Sequence, residues 1–217
     1  MTIYALSTGP GISGLAVIRL SGPDCLKILS EITSGPVPKA RMATLKNIKK
    51  INTHELIDKA LVLWFPGPNS YTGEDMLELH VHGSRAIIEA IQSSLSQIKN
   101  CRLAEPGEFT KIAFLNGKIS LLQAESVGDL IASETEIQRR QALDIMSGFH
   151  GKKYERWREK LLKILSKIEA KIDFPEEDLP KNVFEEIHKI SSTVKKEIRK
   201  VINDGKVGER ILEGFKI

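Results

Sequence analysis

The sequence predicts an α+β fold: a mixed-sheet domain over residues 1–118, followed by an all-α segment over 119–217. Three observations carry this expectation. Short β-rich runs bounded by glycine or proline recur in the first part. After Lys118 they give way to long stripes of apolar residues spaced by three or four. Glycine and proline are concentrated before that change and thin out after it.

The first run, Ile3 to Leu6, leads into Gly9-Pro10-Gly11-Ile12-Ser13-Gly14, which has the G-x-G-x-x-G spacing of a dinucleotide-binding turn. Such a turn needs a helix to begin inside the glycines, because the pyrophosphate rests on exposed helix N–H groups. Here Leu15-Ala16-Val17-Ile18 follows directly as a second strand-like run, and Pro10 removes one N–H. No acidic residue closes a second strand about 20 residues on, where the text reads "LSEITSGPVP". The segment reads as a glycine-rich hairpin.

The second strand is expected over Leu15 to Leu20 (LAVIRL). Pro23 can open a helix burying Leu26, Leu29 and Ile32. Residues 34–58, with five Lys or Arg from Lys39 to Lys50, read as a solvated connector or hairpin. Further strands are expected over Ala60 to Phe65 (ALVLWF) and over Met76 to His82 (MLELHVH), which alternates strictly. Ser84 can cap a helix presenting Ile87, Ile88, Ile91 and Leu95. Past Lys118, Ser133 and Glu136 offer a capping box. A stripe from Tyr154 through Trp157, Leu161, Ile164 and Ile168 to Ile172 stops at Pro175. Asn182 and Glu185 can cap a last helix with Val183, Ile187, Ile190, Val194, Ile198 and Val201, closed by Asn203-Asp204-Gly205. Both stripes read as helix-to-helix core.

The totals exclude some classes. With 41% hydrophobic and 28% charged residues the chain has the composition of a soluble globular protein. No apolar run reaches the roughly 18 residues of a membrane span, and no basic-then-apolar leader opens the chain. Two distant cysteines, Cys25 and Cys101, fit a reducing cytoplasm. The net charge of +4 is mildly basic and does not by itself assign a nucleic-acid role. There is no G-x-x-x-x-G-K-[ST] phosphate loop, and no metal or nucleophile motif at diagnostic spacing.

Two stretches carry candidate chemistry. In "TGEDMLELHVHG", strand alternation puts Glu78, His80 and His82 on one face. Zinc could accept all three, but no fourth ligand is evident, and a polar strand face over a cleft is the preferred reading. In "AEPGEFTKIAFLNGK", the Asn116-Gly117 turn presents Lys118. With Arg19 at the end of the second strand, Glu78 and Lys118 would suit a ligand with one donor-rich and one anionic end.

The blocks "ALSTGPGISGLAVIRLSG", "LWFPGPNSYTGEDMLELHVHG", "RLAEPGEFTKIAFLNGKISLLQAESVGDLI" and "IEAKIDFPEED" resemble the MnmE (TrmE) family of tRNA modification GTPases. The resemblance implies that residues 1–118 form a tetrahydrofolate-binding and dimerisation domain similar to the folate modules of one-carbon-transfer proteins. It implies that 119–217 form a partial helical-bundle domain. The ending "ILEGFKI" resembles the lead into the family's GTP-binding domain, so that domain is expected beyond these residues. By resemblance, Arg19, Glu78 and Lys118 contact a 5-formyl- or methylene-tetrahydrofolate. No catalytic or metal-binding residue is expected within the 217.

Further implications concern the whole family protein. It is expected to be a cytoplasmic homodimer that hydrolyses GTP with Mg2+ and K+. With the FAD-containing partner MnmG, it would add a carboxymethylaminomethyl-type group to the wobble uridine of certain tRNAs. Two alternatives remain: a stand-alone folate-dependent aminomethyltransferase-like protein, and a non-catalytic dimer scaffold. A phosphate-loop motif soon after Ile217 in a longer gene would exclude the first, and reduced-folate titration tests the second.

Overall fold

The computed structural model describes residues 1–173 and 183–203, without the side chains of residues 149 and 150. The chain divides into two compact units, Met1–Ile119 and Ser120–Ile217. The first contains β1 (Thr2–Leu6), β2 (Ser13–Ser21), α1 (Cys25–Ile32), β3 (Thr44–Lys49), β4 (Leu56–Phe65), β5 (Met76–Gly83), α2 (Arg85–Ser96), β6 (Cys101–Leu103) and α3 (Glu108–Leu115). Its strands form one mixed sheet in the order β3-β4-β5-β2-β1-β6. All neighbours are antiparallel except β1 and β6. The fold is α+β, as the alternating runs predict.

Strand alternation decides which side chains are buried. Ile18 and Leu20 of β2, Leu77, Leu79 and Val81 of β5, and Ala60 and Val62 of β4 point to one face, where α1 and α2 cover them. Arg19 and Glu78 fall between these core positions and so face the other way. Between β1 and β2 the glycine-rich segment is a hairpin connection, with Ile3 opposite Ser21 and Leu6 opposite Ile18. No helix opens within it, so the dinucleotide reading fails on geometry as well as on sequence. The basic stretch ahead of β4 contributes β3, hydrogen-bonded to β4 as a hairpin.

Helix α1 buries Cys25, Ile28, Leu29 and Ile32, while Leu26 is exposed. The expected face was therefore offset. The stripe at i, i+3, i+4 and i+7 starts at Cys25, a small apolar side chain in this setting. Ser84 caps α2 as expected, its hydroxyl accepting from the Ile87 N–H at 3.2 Å.

The second unit contains α4 (Leu121–Ala132), α5 (Glu136–Met146), α6 (Phe149–Asp173) and α7 (Val183–Ile202). Capping boxes open α4 at Ser120 with Gln123, and α5 at Thr135 with Gln138. The expected box at Ser133 and Glu136 is not formed, because Ser133 is spent as the C-cap of α4 and the chain turns extended there. On α6 the stripe buries Trp157 and Ile164 but leaves Leu161, Ile168 and Ile172 exposed. On α7 it buries Val183 and Val194. The expectations at Pro175, Asn182, Asp204-Gly205 and the final apolar residues lie outside the described residues. Among the described residues, no helix is long and apolar enough to cross a membrane.

Candidate functional site

The sheet face opposite α1 and α2 carries the candidate residues. Arg19 on β2 and Glu78 on β5 are direct cross-strand partners. The guanidinium donates twice to one carboxylate oxygen, Nε to Oε1 at 2.9 Å and Nη2 to Oε1 at 2.7 Å. The other oxygen, Oε2, lies 3.3 Å from Nε2 of His80. The Arg19 and Glu78 side chains keep 30% and 17% exposure. They are sheltered yet reachable from solvent.

Two aromatic rings flank the Arg19 guanidinium. The Arg19 guanidinium carbon lies 5.9 Å from the ring centres of both Tyr71 and Phe109. That is within the range of cation–π attraction. Tyr71 comes from the loop between β4 and β5, and Phe109 from the first turn of α3. The Tyr71 hydroxyl meets Thr110 Oγ1 at 3.0 Å, which ties the loop to the helix.

Lys118 reaches the same loop from the other end of α3. Its ammonium donates to the Pro68 carbonyl at 2.8 Å, and Asn116 Nδ2 donates to the Thr72 carbonyl at 2.8 Å. Gly73 permits this approach: a Cβ there would come within 3.2 Å of the Lys118 stem. On its far side the loop is fixed to β2, with Ser21 Oγ 2.7 Å from Thr72 Oγ1 and 2.8 Å from Glu74 Oε2. Arg19 and Glu78 thus touch directly. Lys118 touches neither in these contacts but is held by the loop that supplies Tyr71.

The metal alternative for Glu78, His80 and His82 finds no support in the geometry. His82 Nδ1 is 2.8 Å from Asp58 Oδ1, a different carboxylate from the one His80 faces. Among the described residues no group of three or more potential ligands could hold a metal ion. The thiols are also poor nucleophiles. Burial pushes Cys25 far up, and burial with the nearby Asp24 pushes Cys101 up to about 11.

Sequence reasoning did not single out Tyr71, Phe109 or the engagement of His80 with Glu78. The signal for His80 was present in its i, i+2 spacing from Glu78 on a strand. The two aromatics come from a loop and a helix start, and nothing in their spacing relates them to Arg19.

Chemically, the arrangement offers a carboxylate acceptor, two cations and two aromatic walls. Such a set suits a flat heteroaromatic ligand with parallel N–H donors and an anionic extension.

Comparison with known proteins gives the family. Residues 2–118 match the family described as "GTP-binding protein TrmE N-terminus", and residues 121–216 match "MnmE helical domain". Among curated relatives, the "tRNA modification GTPase MnmE" of Pelagibacter ubique is 63% identical over 217 residues, covering 100% of this chain and 49% of the relative. The proteins of the same name from Parvibaculum lavamentivorans and Caulobacter vibrioides are 43% and 45% identical over 216 residues, covering 100% of this chain and 49% and 48% of those proteins. The chain therefore spans about half the length of the curated relatives it matches. By these matches, which together run along almost the whole sequence, the chain belongs to the MnmE (TrmE) family of tRNA modification GTPases.

Proposed function

We propose that the first unit is a reduced-folate site serving a tRNA modification GTPase, with Glu78, Arg19 and Lys118 as its polar contacts. The observation that carries this reading is the sheltered Glu78 carboxylate, held by Arg19 and His80, with the rings of Tyr71 and Phe109 against the Arg19 guanidinium. A pterin presents a ring N–H beside an exocyclic amino group, two parallel donors that a carboxylate accepts bidentately. An ionised carboxylate offers about four lone-pair sites. Three donor atoms now approach Glu78, two at Oε1 and one at Oε2, so one acceptor site per oxygen becomes free for a ligand that draws one Arg19 contact away. The cations would hold the ring oxygen, the one-carbon group or the tail carboxylates. The folate, when bound, supplies a one-carbon unit; the residues here bind and orient it.

The test is calorimetric titration of the chain with 5-formyltetrahydrofolate. Binding that weakens at least about tenfold in Glu78→Ala supports the site, since a hydrogen bond to a charged group contributes about 1.5–3 kcal/mol. Unchanged affinity overturns it.

The whole-protein activity belongs to the same proposal. A protein of full family length would hydrolyse GTP with Mg2+ and K+. Together with an FAD-containing partner, MnmG, it would modify the wobble uridine. The 217 residues contain no phosphate-loop motif, so the purified chain is expected not to turn over GTP. For homodimerisation, the supporting feature is a pair of exposed leucines on the sheet's outer face. Leu45, Leu61 and His80 are successive cross-strand neighbours there, and the two leucines are 65% and 43% exposed.

A further inference from the structure

The second unit carries a run of excess positive charge on α6. Between Lys152 and Lys167, α6 carries seven Lys or Arg side chains against two carboxylates, Glu155 and Glu159. Part of that excess is neutralised locally. Glu197 on α7 pairs with Lys160 at 3.1 Å, Glu186 pairs with Lys163 at 3.0 Å and with Lys167, and Glu155 pairs with Arg158 at 2.9 Å. Lys152, Lys153 and Arg156 form no ion pair among the described residues.

These three side chains line one cleft of about 390 Å³ together with Trp157, Lys160 and Glu197. The cleft is held in shape from below. Trp157 is 7% exposed, and its indole N–H donates to Glu197 Oε2 at 2.6 Å. The same carboxylate accepts from Lys160, so both Glu197 oxygens are engaged within the wall. The Lys153 ammonium sits 5.4 Å from the Trp157 ring centre, which keeps it beside the opening.

We propose that this cleft is a contact for the phosphate backbone of RNA, with Lys152, Lys153 and Arg156 holding phosphates. The inference rests on the reading that the protein acts on tRNA, and it assigns that partner a surface. Charge complementarity carries it: the cleft is lined by four cations against one carboxylate, Glu197, whose two oxygens are already engaged by Trp157 and Lys160, so the wall stays net positive and suits a polyanion. Lys152 and Arg156 are four residues apart and project from one side of the helix, as adjacent contacts along a strand require. Lysine meets phosphate as a point charge, and arginine can engage it through two N–H groups. The wall presents no free acceptor for base edges, and the tryptophan face is covered. The contact therefore positions RNA without reading its sequence.

The test measures binding of unfractionated tRNA to the full chain by fluorescence anisotropy across a salt series. The triple variant Lys152→Glu, Lys153→Glu, Arg156→Glu is expected to weaken binding at least about tenfold at 0.1 M salt. Its slope of log Kd against log salt should flatten by about two, because each neutralised phosphate contributes roughly 0.7–0.9. A neutralising set, Lys152→Gln, Lys153→Gln, Arg156→Gln, with an unchanged circular dichroism spectrum, should flatten the slope equally and exclude misfolding as the cause. Charge reversal at Lys189, eight residues and so about 12 Å along α7 from Glu197, controls for a remote surface charge and should move Kd by less than about threefold, surface charges being screened over about 10 Å. Parent binding with unaltered affinity and slope in both triple variants overturns the assignment of this surface. No tRNA binding by the parent overturns the RNA reading itself. Equal affinity for polyglutamate of matched charge overturns RNA in favour of an acidic polypeptide.

Discussion

Arg19 and Glu78 stand directly opposite each other in the β2–β5 ladder, and both guanidinium contacts converge on a single carboxylate oxygen. The pair orients the carboxylate before any ligand arrives. Lysine at position 19 would keep the charge but lose the fork and its fit against the rings of Tyr71 and Phe109. Arg19→Lys is therefore expected to weaken 5-formyltetrahydrofolate binding about tenfold, and Arg19→Ala more, since a charge-assisted hydrogen bond contributes about 1.5–3 kcal/mol. Calorimetry with equal affinities for parent and Arg19→Lys would contradict the positioning role.

Asp58 supports the same strand from the side. Its carboxylate accepts from the His82 backbone N–H, His82 Nδ1 and the Lys59 N–H, each at 2.8 Å. Burial pushes its pKa up, but these hydrogen bonds outweigh that and hold it below the usual carboxylate range. The depressed folded-state pKa means Asp58 stabilises the fold above the unfolded-state value and ceases to as pH falls through the folded one. Asp58→Ala should cost about 1–2 kcal/mol at neutral pH, by removing the acceptor shared by three donors of the exposed residues His82 and Lys59. In urea titrations the gap from the parent should stay flat down to about pH 5 and close below about pH 4. A gap that widens on acidification would contradict this.

Gly22 is required where β2 leaves the sheet. Its φ is +138°, and a Cβ would lie 2.6 Å from Thr2 Cα. Thr2 cannot retreat. It is fully buried, its N–H donates to the Asn100 carbonyl at 2.9 Å, and its hydroxyl accepts from the Asp24 N–H at 3.0 Å. Gly22→Ala should therefore destabilise by roughly 2–5 kcal/mol, combining backbone strain with overpacking. Gly128 inside α4 has open space around its Cα, and Gly128→Ala should be neutral or stabilise by up to about 1 kcal/mol. Differential scanning calorimetry of the two variants decides the contrast; a Gly22→Ala melt matching the parent would show that the turn can relax.

Much of this framework is legible in the sequence wherever one face of an element is buried. β2 and β5 alternate cleanly because α1 and α2 cover only one side of the sheet. β3, with the sequence TLKNIK at the sheet edge, blends into a lysine-rich connector, and β6 has only three residues, too few to show a period. Helix starts are ambiguous where two capping patterns overlap. Ser133 with Glu136 and Thr135 with Gln138 both satisfy the spacing rule, and only the end of α4 decides between them. The site divides the same way. Glu78 and His80 share a face by strand spacing alone, whereas the pairing of Glu78 with Arg19 depends on a register that the sequence does not reveal. Tyr71 and Phe109 meet Arg19 through the path of a loop, which obeys no period.

Trp157 anchors the α6–α7 pair. It is almost fully buried, and its indole N–H and Lys160 converge on Glu197 from the neighbouring helix. Those hydrogen bonds hold Glu197 below the usual carboxylate range, so the link persists in moderately acidic solution. Truncation to alanine removes a large ring and leaves a cavity, for which about 3–5 kcal/mol is expected. Trp157→Phe retains most of the packing and loses the N–H contact, so its cost should be smaller. Far-UV circular dichroism in urea should show the helical transition moving to much lower denaturant in Trp157→Ala. Trp64, buried under the sheet of the first unit, is the sole tryptophan in both Trp157 variants, and its fluorescence transition gives an internal reference that should fall at the same midpoint in the two. Equal midpoints for Trp157→Ala and the parent would show that α6 and α7 are held together mainly by their other contacts, the ion pairs of Glu186 and the packing of Ile164 and Val194.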